Sequence, residues 1–459
     1  MTRKQVAYGD EMISLMRSSF QKIPEHRGPQ TSIRLEDALM SAYALFSLKF
    51  PSLLEFEEER KQRHAAGSNL ETIYEVKHVP SDTQMRSVVD EVAPEYLRGV
   101  FSNIFQWIQN KKLLKPYAFM KHQGEDHFLI SVDGTGFFSS HEIRCPHCLT
   151  KKSSKTGKIT YDHQMLTAAI VHPDLKTVIP LAPEAIIRQD GVEKNDCEMN
   201  ALKRWVQYFR QHHPQLKVIL NLDGLYGNNK IVRLLRNAQM PFMIVVGETD
   251  HAGIFRYVNG AQQRGNVIQY EWEEYFGEKI RKTKKCRVRI KTDVPLNGQE
   301  DTEWVNFIEY WEETLWIDSR GKERKESYHC AWVTDLSLYH GQKQAQTFVK
   351  GARSRWKIEN ETHNTLKNQG YHLEHNYGHG ECHLAENFIL LILLAFLVDQ
   401  IQQMGCRYFQ KLLGIFKRKI RVWNEIRNIY QFFRLTSWTH LLETASQNIT
   451  GKGLLYNTS

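Results

Sequence analysis

The hydrophobic period of this chain changes once and sharply, and that change constrains the fold more than any other feature. As far as about residue 115, apolar residues recur at helical spacing over 35–50, 53–63, 70–76, 85–92 and 96–108. Pro51, Pro80 and Pro94 stand at the junctions, and Ser81 is placed to cap the helix that carries Gln84 and Arg86. From His127 the spacing falls to that of strands: HFLISVD, YDHQMLTAAIV and TVIPLAPEAII. A helix near 197–212 follows, then the strand KVILNLD, a helix near 230–239 and the strand PFMIVV. Between about 258 and 338 the helical period is lost again, and VIQYEWEEYF, CRVRIKTDV, WVNFIEYWEE and YHCAWVTDL read as successive strands. Residues 342–368 then read as one long helix and 383–404 as an apolar one. No tandem repeat is visible.

Three antiparallel strands, then helix, strand, helix, strand, is the order expected of a ribonuclease-H-like α/β fold with a mixed sheet and helices. The chain divides accordingly. Residues 1–115 form an N-terminal helical region, with 68–92 readable as a helix-turn-helix entering a major groove or as part of a plain helical bundle. Residues 125–257 begin the α/β core, 258–340 are a β-rich insertion, 341–404 complete the core, and 405–459 are a basic helical end.

Composition narrows the setting. At 459 residues, 41% hydrophobic and 25% charged, the chain is neither disordered nor fibrous. Lys and Arg outnumber Asp and Glu by 61 to 52, a net +9 that favours a polyanionic partner. Seven thinly spread cysteines are unlike a secreted disulfide framework and point to a reducing cytoplasm. The first residues, MTRKQVAYGDEM, lack the apolar core of a signal peptide. The longest apolar run, 388–398, falls well short of the about 20 residues that cross a bilayer, so it reads as a buried helix and no membrane partner is expected.

Asp133 ends one apolar run and Asp223 another, so both carboxylates should project at or near the ends of buried strands. A buried carboxylate needs a compensating partner, and where several acids meet that partner can be a divalent cation. Either Asp alone could instead cap the next turn. Glu359 lies on the long helix one turn after Arg355, where an i,i+4 ion pair is the plain alternative.

Together, strand Asp, strand Asp and helix Glu resemble the DDE triad of bacterial insertion-sequence transposases of the cut-and-paste type, with a β-rich insertion between the second Asp and the Glu. The DG motif (Asp223-Gly224-Leu225-Tyr226) and the RWxIE motif (Arg355 to Glu359) extend the likeness, which covers roughly residues 125–400. In the family's third motif Arg355 and Glu359 fit, Ala352 occupies the Tyr position, Lys367 falls one residue late, and Glu361 is a rival for the third carboxylate.

The resemblance implies two Mg²⁺ or Mn²⁺ ions, with Asp133 bridging both and Asp223 and Glu359 each completing one shell. Arg355, Lys367 and Tyr226 would meet DNA. It also implies a homodimer within a synaptic complex, double-stranded DNA partners (the inverted-repeat ends of its own element and a target), and a bacterial cytoplasmic, nucleoid-associated protein. A non-catalytic transposase-derived DNA-binding regulator and a structure-specific nuclease on the same fold are the alternatives.

Cys145 and Cys148 form a CxxC in a loop with Lys151, Lys152, Lys155 and Lys158. That is either a zinc half-site, completed by His163 or Cys197, or a basic hairpin with reduced thiols. His375, His379 and His383, beside Cys382, could bind a soft metal, but Gly378 and Gly380 favour a loop making polar contacts to DNA or backbone. In the basic tract 279–291, Lys284, Lys285, Arg287 and Arg289 are expected to turn one strand face to phosphate, and the aromatic-rich basic tail to contact DNA or a second subunit.

Overall fold

The structure is a computed structural model that describes residues 8–187, 197–277, 281–338 and 341–448. The first residues of the 279–291 tract and the last of the 405–459 region therefore lie outside the described residues.

The described residues open with six helices: α1 (Tyr8–Phe20), α2 (Leu35–Ser47), α3 (Leu53–Gln62), α4 (His64–Tyr74), α5 (Asp82–Asp90) and α6 (Pro94–Asn110). Their starts follow the punctuation in the sequence. Ser52 accepts the Glu55 N–H, Ser81 and Gln84 close a reciprocal capping box, and Pro94 takes the first turn of α6, where its missing N–H costs nothing. α5 packs on α2 and on the apolar helix α12 (Leu384–Gly405), whereas α4 packs on α1, α2 and α14 (Lys419–Phe432). The two helices of the 68–92 segment thus share α2 and α3 as neighbours, with α5 reaching α12 and α4 reaching α1 and α14.

One mixed sheet of twelve strands follows. Its core strands are β1 (Ala118–His122), β2 (Glu125–Ser140), β3 (Leu149–Lys152), β4 (Ile159–Val171), β5 (Ile179–Pro180), β6 (Glu184–Ile186), β7 (Val218–Leu222) and β8 (Phe242–Val246). Pro180 and Pro183 split the third expected strand into β5 and β6, because proline cannot donate to a ladder. β2, β7 and β8 run parallel, β4 lies antiparallel to β2, and β5 and β6 pair with the far edge of β4. The helices α7 (Glu198–His212) and α8 (Asn229–Asn237) make the crossovers.

After β8 come α9 (Ala252–Gln263) and the strands β9 (Ile268–Phe276), β10 (Lys282–Pro295), β11 (Trp304–Ile317) and β12 (Glu323–Thr334). They form an antiparallel meander in which β12 pairs with β8, so these residues continue the same sheet.

The long helix expected over 342–368 is not uniform. It runs as α10 (Gln342–Arg353), a 3₁₀ turn (Ser354–Trp356), a π-helical segment (Ile358–His363) and α11 (Asn364–Asn368). α12 is long and apolar enough to cross a membrane by length and composition, yet 89% of its most apolar window is buried within the protein. It is the central core helix, flanked by α2, α5, α6 and α1. Asp399 on α12 accepts from Lys49 (2.5 Å) and from the Tyr371 hydroxyl (2.7 Å), and the Lys49 ammonium lies 4.1 Å from the Trp423 ring centre. This buried charge is paired, hydrogen-bonded and enclosed by rings, the conditions under which one survives in a core. The basic tail breaks into α13 (Arg407–Phe416) and α14 at Lys417, whose φ is 58°, before α15 (Trp438–Asn448). Its aromatic residues Phe409, Trp423 and Tyr430 are core, while Phe432 is exposed.

Candidate active site: an acidic cluster at the sheet

Asp133 is not at a strand end. β2 continues to Ser140 because β4 pairs with it along that whole length, whereas the parallel ladder with β7 stops at Ser131 opposite Asn221. Asp133 and Asp223 each lie two residues beyond that last pair. With side chains alternating along a strand, both fall on the face of Ser131 and Asn221, on strands about 4.8 Å apart. The Asn221 amide donates to the carbonyls of Gly351 and Ala352 (2.9 and 3.0 Å), so that face is the one covered by the end of α10. The segment that follows carries Glu359 onto β2 and β4. Asp223 also caps the turn Gly224–Tyr226 by accepting the Leu225 N–H, so its capping and its place in the cluster coexist.

Electrostatics record the convergence. Burial, followed by the charges of Asp223, Glu359 and Glu198, pushes the Asp133 carboxyl up to about 7, against the opposing pull of Arg355. Glu198, at the start of α7, is raised by burial and by Asp223, with the Tyr226 hydroxyl acting the other way. Its carboxyl group lies where a Cβ on Gly134 would stand, which places it over the opposite face of β2 from Asp133. Asp133 and Asp223 thus lie just beyond the end of the parallel β2–β7 ladder, with the charge of Glu359 acting on Asp133 and Glu198 across the sheet. As a group they do not draw their oxygens within 4.8 Å of one another; among the described residues only a separate Cys/His cluster is that tight.

Glu359 and Glu361 point to different surroundings. Glu359 bonds to Arg355 at 2.6 Å and adds its charge to Asp133, while Glu361 acts on Lys357 and Lys419. His363, at the end of the π-helical segment, is an addition that the sequence did not single out. Its Nε2 lies 2.7 Å from the Thr167 hydroxyl, and Thr167 donates to the Asp133 carbonyl at 3.1 Å. Its Nδ1 is 3.7 Å from the Asp133 carboxylate, and burial lowers its pKa to about 4, so the ring is neutral there. His363 and Thr167 thus fix the backbone and flank of Asp133. The only signal for His363 was its place four residues after Glu359 on one helix.

Several expected DNA contacts are placed otherwise. Tyr226 is fully buried and its hydroxyl meets Glu198 at 3.4 Å; Leu225 takes the exposed position instead. Lys367 pairs with Glu374 at 2.8 Å. The basic tract does not present one face, because alternation along β10 sends Lys284 to the side opposite Lys285, Arg287 and Arg289. Arg289 is buried on Glu309 (2.5 Å), Lys284 pairs with Glu274 (3.0 Å), and Arg287 lies over the Trp311 ring; Lys285 and Arg287 remain exposed.

A basic groove does form, elsewhere. It has a volume of about 620 Å³ and runs between the β9–β11 face and α10. Lys343, Lys350, Arg353 and Lys357 line one side and Lys284 with Trp272 the other, with half-exposed Trp356 beside them; Glu274 is the sole lining carboxylate among the described residues, Lys350 pairs with Asp174 (2.8 Å) and Arg353 with Glu312.

Cys145, Cys148 and His163 do meet, but Cys197 is exposed at the N-terminus of α7 and takes no part. His379, from the loop read as a polar contact segment, is the fourth member. No protein-family model matches this chain, and no curated protein does.

Proposed function

We propose that this chain is a DNA transposase that cleaves and joins DNA by metal-dependent phosphoryl transfer at Asp133, Asp223 and Glu359. What supports this reading is that Asp133 and Asp223 project from neighbouring strands two residues beyond the last β2–β7 pair, with Glu359 near enough for its charge to act on the Asp133 carboxyl. The strand order supports a ribonuclease-H-like core: β4, β2, β7 and β8 adjacent, with β4 alone antiparallel among them.

The donor set fits hard cations of the Mg²⁺ or Mn²⁺ type, which prefer carboxylate oxygen and would relieve the repulsion crowded around Asp133. Such ions would supply the Lewis acidity that activates a water or a 3′-hydroxyl and eases departure of the opposite oxygen. The rest falls to the chain itself. Asp133 would face both cation positions, with Asp223 and Glu359 one each. His363 and Thr167 hold the Asp133 strand in place. Arg355, now paired with Glu359, is placed to exchange that carboxylate for a phosphate. The groove of Lys343, Lys350, Arg353 and Trp356 gives the strand leading to the site a cationic track and an aromatic surface. No side-chain nucleophile is required.

The test is an assay with DNA bearing the inverted repeats that flank the reading frame. The wild type should nick and join these ends with Mg²⁺ or Mn²⁺, and Asp133→Ala, Asp223→Ala or Glu359→Ala should abolish cleavage while end binding persists. Full cleavage by Asp133→Ala would overturn the assignment. Cleavage without joining would favour a nuclease, and binding without any cleavage a regulator.

A further inference from the structure

Cys145 and Cys148 lie in the connection between β2 and β3, where the chain makes a tight knuckle. The Cys148 N–H donates to the Cys145 carbonyl at 3.2 Å, and the Cys145 N–H donates to the Cys148 Sγ at 3.3 Å. That arrangement turns both sulfurs to one side. His163, on β4, is stacked on Phe137 and brings Nε2 to 3.2 Å from Cys145 Sγ and 3.3 Å from Cys148 Sγ. His379 arrives from the loop that precedes α12, its ring centre 5.0 Å from that of His163 and 4.0 Å from that of Phe138.

The His379 loop is held by more than this cluster. Gly378 and Gly380 take positive φ, and the Asp90 carboxylate accepts the N–H groups of Glu381, Cys382, His383 and Leu384. The His379 Nδ1 is buried and has no hydrogen-bond partner among the described residues.

Two thiols and two imidazoles, with all four donor atoms within 4.8 Å of one another, form a donor set suited to a borderline-soft ion. Tetrahedral zinc, with Zn–S of about 2.3 Å and Zn–N of about 2.0 Å, separates its ligands by about 3.5–3.8 Å. The sulfurs here are 3.6 Å apart, and the sulfur–nitrogen separations, 3.2 and 3.3 Å, lie slightly below that range.

We propose that Cys145, Cys148, His163 and His379 bind one structural Zn²⁺ that staples the β2–β3 connection to the loop before α12. Four protein ligands leave no open position, so the ion is structural and separate from the acidic cluster. On β4, His163 is four residues from Thr167, about 13 Å of strand. The ion would thereby couple the strand extension beyond Asp133 to the Asp90-bound loop, and through it to α5. This inference does not rest on the phosphoryl-transfer reading.

The test is elemental analysis of the full chain purified from zinc-supplied cells, together with absorption spectroscopy after Co²⁺ replaces the bound metal. The expected result is about one zinc per chain and the thiolate-to-cobalt charge-transfer band of a tetrahedral site. Cys148→Ser and His379→Ala should lose that metal, while Cys197→Ser keeps it. Full zinc retention by His379→Ala, or loss from Cys197→Ser, would overturn the ligand set. Should the ligand variants prove insoluble, the wild type decides alone: a cobalt spectrum without a thiolate band, or no uptake, refutes the site.

Discussion

Asp133 owes its interest to what makes it costly. A carboxylate set in a strand interior among Asp223, Glu359 and Glu198 is unfavourable as an anion, and a site that binds cations needs that imbalance. The same reasoning ranks the rivals on the helical segment. Glu359 shares the field of Asp133, while the charge of Glu361 acts on Lys357 and Lys419. We therefore expect Glu359→Gln to lower the rate of DNA cleavage by at least about 10³-fold and Glu361→Gln to change it by less than about tenfold, measured in single-turnover assays. Equal losses in both variants would remove the distinction. Asp133 and Asp223 are conspicuous in the sequence because each ends an apolar run, and Glu359 because it follows Arg355 in the RWxIE motif. Glu198 and His363 are not, since nothing local marks a helix residue that a distant strand will meet.

At the scale of elements, the joint between α5 and α12 explains how the helical region holds the core. Burial opposes ionisation of Asp90, but the N–H groups of Glu381, Leu384, Cys382 and His383 outweigh it and hold its pKa below the ordinary 3.8. A depressed carboxylate stabilises the fold above its unfolded value, and that stability is lost as pH falls through the folded value. Asp90→Ala should thus cost about 2 kcal/mol near pH 7 in denaturant titrations, with the gap to wild type narrowing below about pH 4. A gap independent of pH would mean that the carboxylate charge contributes nothing. The basic groove belongs to this scale too. Lys343→Ala with Lys350→Ala should weaken DNA binding regardless of sequence and reduce the slope of log affinity against log salt by about 1–2, read by fluorescence anisotropy. An unchanged slope would place the DNA elsewhere. This groove escaped the sequence because its cations are spread over α10, the turn after it and one face of β10, and no single run of sequence brings them together. Periodicity identified the elements well, but it carried no information on the π-helical segment, whose wider turn leaves no mark in the spacing of apolar residues.

For the whole molecule, the central sheet and α12 unite regions that look separable along the chain. The strands after β8 extend the core sheet, and Lys49, Tyr371, Asp399 and Trp423 join the first helices to the last across α12. The alternation of helix and strand announced an α/β architecture, but joining by pairs so distant in sequence has no local signature. The claim on which the account depends is that Asp133, Asp223 and Glu359 make one hard-cation site, and titration of Mn²⁺ into the metal-stripped protein, followed by electron paramagnetic resonance, tests it most directly. Thiol and imidazole ligands favour softer ions, so the Cys/His cluster should contribute little to the signal. We expect the wild type to take up about two Mn²⁺ and the combined variant Asp133→Asn, Asp223→Asn, Glu359→Gln to take up none at the same concentrations. Equal uptake by that variant and the wild type would contradict the account.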